Sequence, residues 1–111
     1  MREIKFRAWT DKKEMINPVL WIGEYNHFYG EDFTNNQYGN IIDIMQFTGL
    51  KDKSGLTEIY EGDILDENGF IRGNIHEMDK RETDTIIQGF GTKAWCETVS
   101  RAILLGCRYS E

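Results

Sequence analysis

The sequence predicts an α+β protein, a single domain over residues 1–111 made mainly of antiparallel strands in a curved sheet or small, partly open barrel, with one helix over about 92–105. Three observations carry this. Short apolar or alternating runs recur between polar, glycine-bearing turns, at Ile4 to Trp9, Met15 to Ile22, Ile41 to Phe47 and Ile59 to Leu65. Asn68-Gly69 separates two such runs and marks a hairpin, because type I′ turns require positive φ at both central residues. Trp95, Val99, Ala102 and Ile103 repeat at helical spacing between a capping threonine, Thr92, and a terminating glycine, Gly106.

Taken in order, Ile4 to Trp9 alternates apolar and basic residues, so the sequence places Lys5 and Arg7 on a solvated face opposite Ile4, Phe6 and Ala8. Thr10 to Lys13 is turn-like, and Met15 to Ile22 returns antiparallel, with Pro18 at an edge or interruption because it lacks an N–H. Gly23 to Asn40 has no clean period and carries Tyr25, His27, Phe28, Tyr29, Phe33 and Tyr38. Those rings either anchor a long connection to the core or form a stacking surface for a ligand, for which Tyr25, Phe28 and Tyr29 are the candidates. Ile41 to Phe47 reads as a largely buried strand, the polar stretch with Gly49 and Gly55 as a reversal, and Glu58 to Tyr60 and Ile64-Leu65 as strands leading to the hairpin. Phe70 to His76 is the returning strand. Met78 to Glu82 is a charged reversal in which Asp79 and Glu82 also mimic a capping box, and Thr83 to Gln88 is a further strand. The last helix is expected to cover one face of the sheet, with Glu97 and Arg101 as an exposed pair four residues apart.

Composition narrows the function. A 111-residue chain with 40% hydrophobic residues and a single proline has the makeup of one folded domain rather than a disordered segment. It contains neither an apolar run long enough to span a membrane nor a signal-peptide apolar region, so a soluble, intracellular protein is expected. The net charge of −6 disfavours direct nucleic-acid binding, which relies on clustered cations, and suits a basic protein partner. Cys96 and Cys107, without Cys-x-x-Cys spacing, read as reduced thiols. Homo-oligomerisation is compatible with a small sheet that must manage its edges.

Residues 46–64 organise the chain, and they also carry a resemblance. Thr48-Gly49-Leu50-Lys51-Asp52-Lys53-Ser54-Gly55 with Ile59-Tyr60-Glu61-Gly62-Asp63-Ile64 resembles the signature of the YopX family of phage and prophage proteins. Arg2 to Trp9 and Gly73-Asn74-Ile75-His76-Glu77 are similar to that family's opening and closing motifs. The resemblance covers residues 1–77 as a β-rich part and leaves 78–111 as an extension with a strand and the helix. Only Leu65 to Arg72 separates the last two motifs, a shorter middle than the family pattern, whose barrel-like part is then abbreviated. The resemblance implies a genomic setting, not a reaction.

No catalytic set is visible. His27 and His76 stand apart from any serine or cysteine spacing that would make a nucleophile, and Cys107 follows a helix end, where the macrodipole raises a thiol pKa. Asp63, Asp66, Glu67 and Asn68 cluster without the donor spacing of a calcium loop, so no metal and no cofactor is expected; Glu61 and Asp63 as paired carboxylates, with Asp66, leave metal-assisted hydrolysis as a remote alternative. Gly89, Gly91, Thr92 and Lys93 open the helix and could receive an anion such as a nucleotide phosphate, but lack the P-loop ending. Lys51, Asp52 and Lys53 of the signature loop, with Glu61, Asp63, Asp66 and Glu67, are the candidate protein-contact residues. The leading expectation is a non-enzymatic accessory protein that binds a host or rival defence protein with an acidic surface, the alternative a binder that sequesters a nucleotide-like molecule.

Overall fold

The computed structural model describes residues 4–17, 19, 21–22, 28–29, 41–89 and 92–110, with backbone alone at 21–22 and 28–29. The chain divides into two compact units, Ile4–Met45 and Gln46–Glu111. Among the described residues the architecture is α+β, with antiparallel strands, one helix near the C-terminus and open strand orders that close no barrel.

In the first unit β1 (Phe6–Thr10) and β2 (Met15–Ile16) form a hairpin, with Ala8 opposite Ile16 and Trp9 opposite Met15, but the returning strand is shorter than the expected Met15 to Ile22, since Trp21–Ile22 pairs with Phe28–Tyr29 instead. Thr10 organises its turn. The Thr10 hydroxyl accepts the Lys12 N–H at 3.1 Å, and Lys13 closes the turn with a positive φ of 61°. Ala8 and Ile16 form a small core against which Val19 and Ile41 pack. β3 (Trp21–Ile22) and β4 (Phe28–Tyr29) pair as a two-stranded ribbon, and β5 (Ile41–Lys51) begins in this unit. Pro18 lies outside the described residues.

One expectation is reversed here. Arg7 is 9% exposed, whereas Ile4 and Phe6 are 73% and 37% exposed, so Arg7 is not on a solvated face. Its guanidinium reaches the Met45 sulfur at 3.7 Å. A long aliphatic stem and a flat, weakly hydrated head let arginine lie along apolar surface, which a period-two count cannot register.

In the second unit β5 is flanked by β6 (Glu58–Tyr60) and β10 (Arg108–Tyr109), while β7 (Asp63–Leu65) lies between β8 (Ile71–Asn74) and β9 (Thr85–Ile86). The core gathers Leu50, Ile59, Leu65, Ile87, Ala102 and Cys107, with Ile71, Trp95 and Val99 packed against it. Phe47 and Tyr60, also buried, face each other across the β5–β6 pair with ring centroids 5.5 Å apart.

β5 differs from its expected form. It continues past Phe47 to Lys51, and its first half is not buried, since Ile42 and Ile44 are exposed. Between the pairs Phe47–Tyr60 and Lys51–Glu58, the residues Thr48, Gly49 and Leu50 stand opposite Ile59 alone. This is a bulge, not the reversal. Gly49 takes the φ of 89° that it requires, and the buried Thr48 hydroxyl donates to the Ile59 carbonyl at 2.7 Å while accepting the Leu50 N–H at 3.0 Å. The chain reverses only afterwards, at 52–57, where the Asp52 N–H closes onto the Thr57 carbonyl.

The Asn68-Gly69 hairpin forms with a different turn. Gly69 has positive φ, but Lys13 is the one non-glycine among the described residues that does, so Asn68 does not supply the second positive φ of a type I′ turn. Instead the Asp66 carboxylate accepts the N–H groups of Asn68 and Phe70 and builds a longer loop. β9 is shorter than Thr83 to Gln88, and residues 78–82 form no helix.

α1 (Lys93–Leu104) matches its expected span, with Thr92 at the N-cap position. Gly106 donates to the Ile103 carbonyl and Cys107 to the Ala102 carbonyl, the paired closure of a Schellman ending, and Ala102 and Cys107 meet in the core. Trp95, Val99 and Ala102 form the inward stripe, while Ile103, expected on it, is 38% exposed.

Candidate functional site

The candidate residues fall at the two ends of β7. At one end the signature turn meets the hairpin tip. Asp52 is buried, with one carboxylate oxygen accepting the N–H and hydroxyl of Ser54 and the other accepting the Ile71 N–H at 3.2 Å. The Lys53 N–H donates to the Gly69 carbonyl, and the Lys53 stem lies against Gly106. That carbonyl also faces the Cys107 thiol at 3.6 Å. The signature turn, the hairpin and the helix end are thus tied together at Gly69. Asp66 holds its own loop, Glu67 is exposed, and Lys51 stands between Arg108 and Glu58 across the sheet.

At the other end the Asp63 carboxylate is buried and accepts the Tyr60 N–H at 2.7 Å, and the Glu61 carboxylate accepts the Gln46 N–H at 2.6 Å. The other Glu61 oxygen lies beside Gly89, 3.2 Å from where a Cβ would stand. Thr92 and Lys93 are exposed, and the Thr92 hydroxyl donates back to the Gly89 carbonyl at 2.7 Å without capping an N–H. An anion approaching this helix start meets a resident carboxylate. Tyr25 and Gly91 lie outside the described residues, as do the side chains of Phe28 and Tyr29 in β4.

Sequence reasoning missed a buried ion cluster. The Asp84 side chain is fully buried and pairs with Arg72 of β8, while the Arg81 N–H reaches it at 2.8 Å and the Arg81 Nε at 3.5 Å. Its one signal was an acidic residue inside a stretch read as a strand. Burial alone raises the Asp84 pKa, and the Arg81 N–H and guanidinium together with Arg72 outweigh it, leaving the group below the usual aspartate range. A depressed folded-state pKa contributes stability that is fully present above the ordinary aspartate range and is lost as pH falls through the folded value. Asp84→Asn is therefore expected to flatten the acid limb of a stability-against-pH curve. An acid limb identical to that of the parent protein would remove Asp84 from it.

Both cysteines are free, Cys96 exposed and Cys107 buried. Burial, then the Asp52 charge, pushes the Cys107 thiol up against the weaker opposing pull of Arg108 and the Lys53 N–H. Iodoacetamide at neutral pH is expected to label Cys96 in the folded protein and Cys107 only after denaturation. Rapid double labelling of folded protein, read by mass spectrometry, would contradict this placement.

Among the described residues no group of three or more His, Cys, Asp or Glu side chains is disposed to hold a metal, and no helix is long and apolar enough to cross a membrane. Asn74 of the closing motif is buried, accepts the His76 N–H at 2.9 Å and donates to Glu77. All three motifs thus place side chains in the fold: Arg7 of the opening one, Thr48, Asp52 and Asp63 of the central one, and Asn74 of the closing one.

A family model described as YopX protein matches residues 5–96, reaching beyond the closing motif through β9 and into α1. No curated protein and no solved structure matches the chain. With a match over most of its length, the chain belongs to the YopX family, phage- and prophage-type proteins of uncertain activity.

Proposed function

We propose that this protein is a phage or prophage accessory protein that acts in the host cytoplasm by binding a host or rival defence protein, setting an acidic surface against a basic site rather than catalysing a reaction. The observation that supports this is how the carboxylates divide. Asp52, Glu61, Asp63 and Asp84 are recessed and hold backbone N–H groups or arginines, whereas Glu67, Asp79 and Glu82 are exposed on the loops that follow β7 and β8. Recessed carboxylates committed to backbone N–H groups or arginines serve the fold and are not presented to a partner. Exposed ones in a chain of net charge −6 steer a cationic partner and make its capture sensitive to salt.

The test is capture of partners from host lysate by the immobilised protein at rising ionic strength, beside the variant Glu67→Lys/Asp79→Lys/Glu82→Lys. Support requires a captured protein with a basic face that is lost steeply with salt and lost in the variant. Salt-independent capture, capture unaffected by charge reversal, or no capture at low salt would overturn the proposal.

A further inference from the structure

The edge strand β10 presents a charge pattern that its own sheet leaves incomplete. Among the described strands β10 pairs only with β5, at the end of the strand order, and both its residues are exposed. Arg108 stands directly opposite Lys51, and Lys51 stands opposite Glu58 on its other side, so one row across the sheet reads cation, cation, anion. Like charges directly opposite on neighbouring strands are unfavourable, and a carboxylate placed beyond Arg108 would balance the row. The next row pairs Tyr109, 61% exposed, with the buried Leu50.

The backbone is arranged to receive such a group. The Ser110 N–H donates to the Gly49 carbonyl at 2.7 Å, which turns residues 108 and 110 toward β5. Alternation then directs the N–H and C=O of Tyr109 away from β5, at the open edge.

We propose that β10 accepts an extended segment of a partner protein as an added strand, with an acidic side chain beside Arg108 and an apolar one beside Tyr109. Main-chain hydrogen bonds to Tyr109 hold the segment, and the Arg108–carboxylate contact sets its register. This surface lies on other residues and has the opposite sign from the acidic loops above. It does not rest on that reading, and the two fail separately.

The experiment uses a short end-blocked peptide of alternating Asp and Val, with an alternating Lys and Val peptide as control, titrated into the full chain and followed by amide chemical shifts. Expected are shifts centred on Gly49 to Lys51 and Arg108 to Ser110 with the acidic peptide, and affinity roughly tenfold lower in Arg108→Glu, where attraction becomes repulsion. Tyr109→Ala keeps the outward N–H and should retain binding. Tyr109→Pro removes that N–H without touching the Ser110–Gly49 bond and should abolish it while leaving the fold intact. Equal binding of the lysine peptide, no binding of the acidic peptide at millimolar concentration, or undiminished binding by both Arg108→Glu and Tyr109→Pro would overturn the proposal.

Discussion

Gly69→Ala is expected to destabilise the 46–111 unit by about 3 kcal/mol or more, while Gly55→Ala should cost only about 1 kcal/mol. Both glycines have positive φ, 90° at Gly69 and 77° at Gly55, so both exchanges pay the same conformational penalty of a left-handed backbone. Their surroundings differ. A Cβ at Gly69 would stand 2.6 Å from the Leu105 carbonyl oxygen, whereas one at Gly55 would meet nothing within 4 Å. The obstacle at Gly69 is backbone at the end of α1, pinned by the Schellman closure and unable to rotate aside as a side chain could. To accept the methyl group, the hairpin must withdraw from the helix end and strain the bond from Lys53 to the Gly69 carbonyl. Urea unfolding read by Trp95 fluorescence in a Trp9→Phe/Trp21→Phe background, where Trp95 is the one remaining tryptophan, gives the difference directly. Equal losses for the two variants would mean that φ alone sets the cost and that the hairpin and helix end are not packed as described.

That contrast also shows what the sequence could and could not yield. Helix α1 was legible because its stripe, cap position and terminating glycine are all local, and only Ile103 was misplaced, by one step around the helix. The β1–β2 and β7–β8 hairpins were legible for the same reason. The course of β5 was not. Gly49 reads as a turn residue in any local window, and its role in a bulge depends on a hydroxyl bond from Thr48 to Ile59, a residue on another strand. Arg7 was misread because period two reports which residues share a face but not whether an arginine stem can lie against Met45. The Asp84 cluster depends on Arg72, which only the pairing of β7 with both β8 and β9 brings near. For the candidate site, the sequence picked out Asp52, Glu61 and Asp63 as notable carboxylates, but their backbone partners, Ile71, Gln46 and Tyr60, are set by tertiary placement. A charge that a local reading offers to a ligand can thus be one that the fold holds for itself.

Asp52→Ala is the exchange that tests this last point, with an expected loss of about 3 kcal/mol. Its carboxylate accepts the Ser54 N–H at 3.1 Å, the Ser54 hydroxyl, and the Ile71 N–H at 3.2 Å from the neighbouring hairpin. Hydrogen bonds to a charged acceptor are worth roughly 1.5–3 kcal/mol each and do not add fully when they share one group, which sets the total nearer the value of one or two. Alanine leaves the Ile71 N–H without that acceptor in a half-buried position and frees the turn that carries Lys53 toward Gly69. Asp52→Asn keeps an oxygen for one of the two directions and should lose less, about 1 kcal/mol. A second readout separates this structural role from a partner-contact role. The Asp52 charge helps to raise the Cys107 pKa, so Asp52→Asn should lower the pH at which Cys107 ionises in the folded protein, read from thiolate ultraviolet absorbance in a Cys96→Ser background. If Asp52→Ala folds with parental stability yet loses a captured partner, Asp52 belongs to the contact surface. If stability falls and Cys107 titrates earlier, the signature aspartate is a lock between turn, hairpin and helix end, and the surface that meets a partner has to be sought among the charges the fold leaves exposed.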